Sequence, residues 1–342
     1  MLKKIELLNY KSFLQSSLDL KSLTVLTGLN SSGKSSIIQA INMVFRYYLS
    51  QNQHIALSDH GSPHLLKSKY SKDNFFKIVI HADPDGKFEL LVSVDADSYS
   101  FDKAVVQKTL PELQYISASR LGPQNVLSLS TESSAPEIGS KGEYIIDFIE
   151  RNQNRTVYEN MIKDAKETTR LWENINAWMQ YISPGTVLSY KIQRDQNAAY
   201  PYYNGILPTE SGFGLSYTLP IITALLMPNS ARGSVLLLEN PEAHLHPKGQ
   251  TAIGELISLS AASGKQIIVE THSDHVIDGI RIAARQNKIT YTNVAFHYFE
   301  KNNSESESTI ESPELLPDGK LSFWPKGFFD QNMLNKAELL KK

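Results

Sequence analysis

The sequence predicts an α/β fold: a mainly parallel sheet covered by helices, together with an antiparallel β lobe and a helical insertion. In the last third of the chain, apolar runs alternate with helix-periodic segments, which is typical of parallel strands joined by helices. Residues 74–110 instead carry two apolar or alternating runs around a turn containing Pro84 and Gly86, which indicates antiparallel strands. Residues 141–183 carry a helical pattern, and we expect the insertion to extend to about residue 200.

The first part of the chain predicts six strands, at residues 3–8, 17–20, 23–27, 75–81, 88–94 and 113–117. The third of these strands breaks at Gly28, and apolar residues at helical spacing predict a helix over 35–48. The order strand, glycine-containing loop, helix therefore occurs once near the start of the chain. The Ser/Thr-rich residues 127–140 predict a surface loop.

The last third predicts three helices, at about 214–227, 250–262 and 275–286, and three strands, at 235–238, 266–270 and 294–299. The polar residues 302–308 predict a hairpin turn. We expect all 342 residues to form one domain. Its predicted parts are the antiparallel lobe (1–20 and 74–110), the helical insertion (141–200), the core of the parallel sheet (21–50 and 205–300), and a C-terminal hairpin and tail (301–342).

Composition excludes several kinds of chemistry. The chain has no cysteine, so disulfides, thiolate zinc sites, iron–sulfur clusters and a cysteine nucleophile are excluded. Its net charge of -2 provides no general attraction for nucleic acid, and the lysine-rich residues 67–77 are more typical of a solvated face. No apolar run approaches the roughly 20 residues of a membrane span, and the N-terminus carries no secretory core. We therefore expect a cytoplasmic protein without a membrane partner.

The loop between the third strand and the first helix has a specific pattern. Residues 28–35 read Gly-Leu-Asn-Ser-Ser-Gly-Lys-Ser, the phosphate-loop pattern, in the strand–loop–helix context that the pattern requires. Its glycines let successive backbone N–H groups point inward, and the helix N-terminus adds positive potential. Lys34 would bind the β- and γ-phosphates, and Ser35 would ligate Mg²⁺. The predicted nucleoside-triphosphate-binding residues of the loop are Asn30, Ser31, Ser32, Gly33, Lys34, Ser35 and Ser36.

Two later strands also end in polar residues. The apolar run 235–238 ends in Glu239, and the run 267–269 leads into Glu270, Thr271 and His272. Because ligands of open α/β sheets bind at the carboxyl edge, we expect Glu239 and His272 to face the phosphate loop, with Glu239 holding Mg²⁺. A zinc site is a weaker alternative for the four histidines nearby: His244, His246, His272 and His275.

These motifs together resemble the ATP-binding-cassette ATPases, in the branch that contains SMC proteins, RecF and the OLD-family ATPases. Residues 9–13 (N-Y-K-S-F) look like the opening of that branch, 239–247 (E-N-P-E-A-H-L-H-P) like its Walker B and D-loop, and 271–273 (T-H-S) like its switch-histidine motif. The sequence is most similar to small bacterial AAA-family ATPases that share the E-N-P-E-A-H-L-H-P run and the ending at 325–330, and that often occur in defence operons.

The resemblance implies ATP and Mg²⁺ as ligands, bound between two heads of a homodimer or higher oligomer. Residues 210–216 lie where the family places its signature, so Ser211 and Gly212 would contact the γ-phosphate of the opposite subunit. His272 would sense that phosphate. The glutamine that reaches Mg²⁺ is Gln124, Gln51 or Gln53, and the sequence does not decide among them.

The chain departs from the family pattern at two places. Asn240 stands where the family usually has a catalytic glutamate, and an amide cannot accept a proton from water. Glu239 or Glu242 must then act as the base, or hydrolysis is slow. The signature is also degenerate, because Phe213 and Gly214 replace glycine and glutamine.

The expected function is Mg²⁺-dependent ATP hydrolysis that drives or switches a separate effector protein in bacterial anti-phage defence. These 342 residues contain no long coiled coil and no metal-rich nuclease module, which is why we expect the output in a partner. One alternative is a RecF-like ATPase for DNA repair or DNA loading, which would add nucleic acid as a partner. Another is a nucleotide-gated scaffold with very slow hydrolysis.

Overall fold

The computed structural model describes residues 1–50, 60–84, 86–95, 98–101, 110–130, 137–163, 168–301, 307–327, 335 and 338–341. The chain divides into two compact units. The first contains Met1–Pro111 and Tyr291–Lys342, and the second contains Glu112–Thr290. In the described part of the chain, no helix combines the length and the apolar character needed to cross a membrane.

The first unit contains the predicted antiparallel sheet. Its five strands lie in the order β2-β1-β4-β5-β6 and span β1 (Leu2–Tyr10), β2 (Phe13–Asp19), β4 (Phe75–Ala82), β5 (Gly86–Val94) and β6 (Tyr99–Phe101). Strand β2 begins earlier than the sequence predicts, because Phe13 pairs with Tyr10 directly across the turn and both rings are fully buried. The hairpin around Pro84 and Gly86 is confirmed, with Ala82 opposite Gly86.

The first unit also contains the strands and helix that carry the glycine-rich loop. Strand β3 (Leu23–Gly28) pairs in parallel with β13 (Val294–Glu300), which pairs in turn with the antiparallel β14 (Thr309–Glu311). Helix α1 (Lys34–Ser50) follows the loop, and the one-turn helix α2 (Pro63–Leu66) precedes β4. Residues Leu23 to Thr27 of β3 are all buried, so the loop leaves from a rigid strand.

The second unit contains three parallel strands. Strand β11 (Ser234–Glu239) lies between β7 (Glu112–Ile116) and β12 (Gln266–Glu270), in the registers Leu238–Ile116 and Glu239–Glu270. Helices α5 (Phe213–Leu226), α6 (Pro247–Ala262) and α7 (Asp274–Arg285) alternate with these strands as predicted. Strands β11 and β12 are almost wholly buried, because their apolar runs are long enough to fill the sheet on both faces.

A buried lysine fixes the end of helix α5. The Lys265 ammonium donates hydrogen bonds to the carbonyl oxygens of Ala224 (2.5 Å) and Met227 (2.9 Å), which belong to the last turn of the helix and its C-cap. Positive charge at a helix C-terminus is favourable. Burial nevertheless lowers the pKa of Lys265 to about 7.

The segment predicted as a helical insertion is only partly helical. Helices α3 (Ile145–Asn152) and α4 (Leu171–Ile182) are present, but β9 (Leu188–Gln193) and β10 (Ala198–Tyr203) form an antiparallel hairpin after them. Strand β8 (Leu127–Ser128) pairs with β10, so two residues of the predicted surface loop 127–140 belong to a sheet. The hairpin turns at Asn197, whose φ of 51° is a left-handed conformation that asparagine tolerates.

Candidate functional site

The phosphate loop connects β3 to α1 in the first unit, as its sequence predicts. Gly28 has a φ of +131°, and a Cβ placed there would lie 2.0 Å from the carbonyl oxygen of Phe299 on β13. Gly33 has a φ of +102°, and a Cβ there would lie 2.6 Å from the Phe13 ring. Both positions therefore require glycine, because the backbone is left-handed and neighbouring atoms fill the space of a side chain.

Lys34 is the first residue of α1, and its side chain turns back over the loop. The residue is only 3% exposed. Its ammonium donates to the carbonyl oxygens of Gly28 (3.1 Å) and Leu29 (2.5 Å). The charge of Lys34 is therefore held against the backbone of the glycine-rich turn, where a phosphate-binding lysine belongs.

The remaining loop residues divide into exposed and buried ones. Asn30 and Ser31 are exposed, and Ser31 has a φ of 60°. Ser32 is fully buried, and its hydroxyl donates to the carbonyl of Leu29 (2.7 Å). Ser35 is half-buried. Ser36 is buried, and its backbone N–H donates to the carbonyl oxygen of Gly33 (3.1 Å). The predicted ligands of the loop thus form one continuous turn, whereas their binding roles stay predictions.

Glu239 lies at the carboxyl end of β11 in the second unit. It is 7% exposed, and its Oε2 accepts a hydrogen bond from the backbone N–H of Ala118 (2.9 Å). The next residue, Asn240, has a φ of 45° and donates its N–H to the carbonyl of Glu270 (2.9 Å). This turn places the Glu239 carboxylate at the strand end, as the sequence predicts.

Glu242 contacts the T-H-S motif. Its Oε1 accepts the backbone N–H of His272 (2.7 Å), and its Oε2 accepts the hydroxyl of Thr271 (2.8 Å). Burial raises the pKa of the Glu242 carboxyl, against the opposing effect of these hydrogen bonds and of the Arg120 charge. A raised pKa makes a carboxylate a better proton acceptor, which is a property that a general base needs.

His272 follows β12 and faces solvent in part. Its Nε2 lies 3.8 Å from Oε1 of Glu270, and its side chain is 34% exposed. Ser273, the last residue of the motif, caps α7 by accepting the N–H of Val276 (3.1 Å). The second unit therefore brings together Glu239, Glu242 and His272, although their catalytic roles stay predictions.

The degenerate signature lies at the start of helix α5. Gly212 is its N-cap and is exposed, and a Cβ there would meet no atom within 4 Å. The Ser211 hydroxyl donates to the carbonyl of Pro208 (2.9 Å), and Phe213 is 58% exposed. Gln124 is also exposed in this unit, whereas Gln51 and Gln53 lie outside the described residues.

The zinc alternative finds no support in the described residues, which hold no group of three or more histidines and carboxylates arranged for a metal ion. The His244 ring instead packs on Tyr217, with ring centroids 4.6 Å apart. His246 caps α6 by accepting the N–H of Lys248. Two of the four histidines thus have structural contacts.

One polar residue that sequence reasoning missed is Arg120. It is 3% exposed and donates to the backbone carbonyls of Glu239 and Asn240, each at 2.7 Å. A signal was present in the sequence, because Arg120 follows the predicted strand 113–117 closely and parallel strands end at one edge. Its partners are backbone atoms, which leave no pattern in a sequence.

The parallel strands, covering helices and phosphate loop define the class of P-loop α/β domains. A model of the family described as "AAA domain, putative AbiEii toxin, Type IV TA system" matches residues 23–278, which is more than half of the chain. The protein belongs to this AAA family. A second model, of a family of unknown function called DUF3696, matches residues 289–339. No curated protein matches the chain.

Solved SMC heads have a similar fold. An SMC head bound to the C-terminal winged-helix domain of ScpA is 15% identical with a TM-score of 0.55, over 92% of this chain and 98% of that one. The Thermotoga maritima SMC head is 16% identical with a TM-score of 0.43, over 91% of this chain and 98% of that one. The Pyrococcus furiosus head bound to the C-terminal domain of ScpA is 14% identical with a TM-score of 0.48, over 99% of each chain. The first of these similarities confirms the predicted α/β fold class.

Proposed function

We propose that this protein binds ATP with Mg²⁺ and hydrolyses it between two copies of the chain, and that this cycle switches a separate effector protein. The phosphate loop supports the proposal most strongly, because two left-handed glycines shape its backbone and the buried Lys34 ammonium is held against that backbone, in the strand–loop–helix context of the pattern. The family match supports joint action of the loop with Glu239 and Glu242, since it spans all of them.

The residues fit a magnesium–nucleotide ligand. The Ser35 hydroxyl and the Glu239 carboxylate offer the oxygen ligands that Mg²⁺ prefers, and Lys34 offers a compact positive charge for the phosphates. When bound, the ion would neutralise negative charge on the phosphates. Ser211 and Gly212 of the second copy would donate to the γ-phosphate from the start of a helix.

Glu242 acts as the base in this proposal. Its carboxylate takes a proton from the attacking water, whose oxygen forms a bond to the γ-phosphorus. The bond from that phosphorus to the β,γ-bridging oxygen breaks, which gives ADP and phosphate. Glu239 keeps the metal-binding role, and His272, whose backbone N–H donates to the Glu242 carboxylate, is the γ-phosphate sensor.

Lys34→Ala should weaken ATP binding about 10- to 100-fold, because a charge-assisted contact contributes roughly 1.5–3 kcal/mol. Calorimetry with magnesium and a non-hydrolysable ATP analogue measures this loss. Lys87→Ala is the control, since that lysine is exposed in the same unit and pairs with Glu89. Unchanged affinity in Lys34→Ala would contradict a nucleotide site at this loop.

Ser211→Arg should abolish ATP-dependent dimerisation while ATP binding persists. An arginine at this position would occupy the space that the opposite phosphate needs. Sedimentation velocity with Mg²⁺ and ATP should give a dimer for the wild type and a monomer for the variant. Ser189→Arg, at an exposed residue of β9, is the matched control. A dimer of Ser211→Arg would show that the signature does not form the interface.

The effector and the role in anti-phage defence rest on the resemblance and on the family description, which names a putative toxin of a toxin–antitoxin system. A nucleotide-gated scaffold is the second candidate, and Asn240 favours it, because that position lacks the usual glutamate. Multiple-turnover phosphate release separates the two. A RecF-like role would require DNA binding that weakens steeply with salt.

A further inference from the structure

Arg120 is the least exposed arginine of the described chain and lies near the end of strand β7. Its Nη1 donates to the carbonyl oxygens of Ser117 and Glu239, and its Nη2 donates to that of Asn240, all at 2.7 Å. A planar guanidinium has the fixed array of donors that three carbonyls in different directions need. A lysine ammonium carries fewer donors in a compact group and would not reproduce the array.

Two of the three carbonyls that Arg120 binds belong to the turn that carries the carboxylates. Glu239 and Asn240 are its first two residues, and Asn240 holds a left-handed backbone with a φ of 45°. The neighbouring N–H of Ala118 binds the Glu239 carboxylate itself (2.9 Å). Residues 117–120 therefore hold both the backbone and the side chain of this turn.

Burying the charged side chain of Arg120 is unfavourable, so the need to fill space does not explain an arginine at this position. Burial lowers its pKa from 12.5 to about 10, and the charges of Glu242, Tyr217 and Glu239 oppose this shift. In the described residues, its Nε is buried without a hydrogen-bond partner. An apolar side chain would fill the same space without desolvating a charge.

Tyr217 supports the guanidinium from helix α5. The centre of the guanidinium lies 5.5 Å from the Tyr217 ring centroid, and the Tyr217 ring also packs on His244. His244 belongs to the residues that follow Glu242, and its ring lies 5.8 Å from that of Phe213. Arg120 is thus fixed in its rotamer by the helix that begins with the signature.

We propose that Arg120 is the positioning residue of the ATPase site: it holds the Glu239–Asn240 turn so that the carboxylates of Glu239 and Glu242 keep their catalytic placement. Arg120 acts through these residues and does not itself contact the nucleotide. The inference rests on the proposed function, because it assigns Arg120 to the same hydrolysis.

The test compares Arg120→Met and Arg120→Lys with Arg170→Met, an exposed arginine of the same unit. The methionine variant should lose about 10- to 100-fold in kcat, as supporting residues around a metal site typically do, while its Kd for the ATP analogue stays within about threefold. The lysine variant keeps the charge but loses part of the donor array, so it should lose less than the methionine variant. The control should match the wild type.

Hydrogen–deuterium exchange without nucleotide gives a readout that does not depend on turnover. The amides of residues 118, 240 and 242–244 should exchange faster in Arg120→Met, because their turn has lost the hydrogen bonds from the guanidinium. Unchanged kcat in a folded Arg120→Met would overturn the inference, as would equal losses of kcat and ATP affinity. Should that variant fail to fold, wild-type kcat in Arg120→Lys overturns it instead. A wild type that neither binds nor hydrolyses ATP refutes the proposed function itself.

Discussion

A Glu242→Gln variant should release phosphate about 100- to 1000-fold more slowly than the wild type, because a general base typically contributes that much. Its affinity for ATP should be unchanged, since the proposed phosphate site is the loop at Lys34. The glutamine side chain still has an oxygen that can accept the His272 N–H, so the local structure should be unchanged. Single-turnover phosphate release and calorimetry with an ATP analogue measure the two quantities separately.

The pH dependence provides a second check on Glu242. Its native pKa is raised, so turnover in the wild type should rise with pH through a value above the usual 4.5 of a glutamate. Above that value, the native state holds a buried charge that the unfolded chain solvates freely. Glu242→Gln should therefore raise Tm at neutral pH, and this gain should shrink as the pH falls towards 4.5.

Glu255→Gln is the matched control for this variant. Glu255 is a partly buried glutamate of the same unit that pairs with Lys288 (2.7 Å) and Lys163 (3.4 Å). Its replacement should lower Tm, because two ion pairs are lost, and should leave turnover unchanged. If Glu242→Gln hydrolyses ATP at the wild-type rate, Glu239 is the base or water attacks without one.

Gly28→Ala should destabilise the protein by about 4 kcal/mol, near the upper end of single substitutions. The new Cβ would lie 2.0 Å from the Phe299 carbonyl, so β3 and β13 would have to separate. The left-handed backbone adds strain of about 1 kcal/mol. Chemical denaturation measures the loss, and nucleotide binding should fall with it, because the loop begins at this residue.

Gly61→Ala measures the backbone strain of a positive φ without the steric clash that Gly28→Ala adds. Gly61 lies in the same unit with a φ of +93°, and a Cβ there would meet nothing within 4 Å. Its replacement should therefore cost only about 1 kcal/mol. Equal losses in the two variants would mean that contact with β13 does not limit Gly28.

The elements that could be predicted from the sequence are those with strong apolar patterns. Strands β3, β11 and β12 are short buried runs. Helices α1 and α6 bury most of their residues, and helix α7 buries one helical stripe, so pattern and structure agree. The hairpin β9–β10 was missed because its tyrosines and alanines give a weak alternation next to two clear helices. Its pairing is settled by tertiary contacts and not by local preference.

The candidate site was predictable where its residues are contiguous. The phosphate loop has eight adjacent positions, and the run around Glu239 and Glu242 is a single motif. Arg120 was missed because it lies 119 residues from Glu239 and binds backbone oxygens. The bond between Glu242 and Thr271 likewise spans 29 residues, so only the fold reveals it.

The left-handed backbone at Asn240 constrains which side chains this position can carry. Replacing Asn240 by glutamate would set a long side chain on a conformation with a φ of 45°, which asparagine adopts readily and glutamate does not. Such a substitution would introduce backbone strain, whatever it gained in chemistry. Engineering a faster variant is better started two positions later, at Glu242, whose backbone is not left-handed.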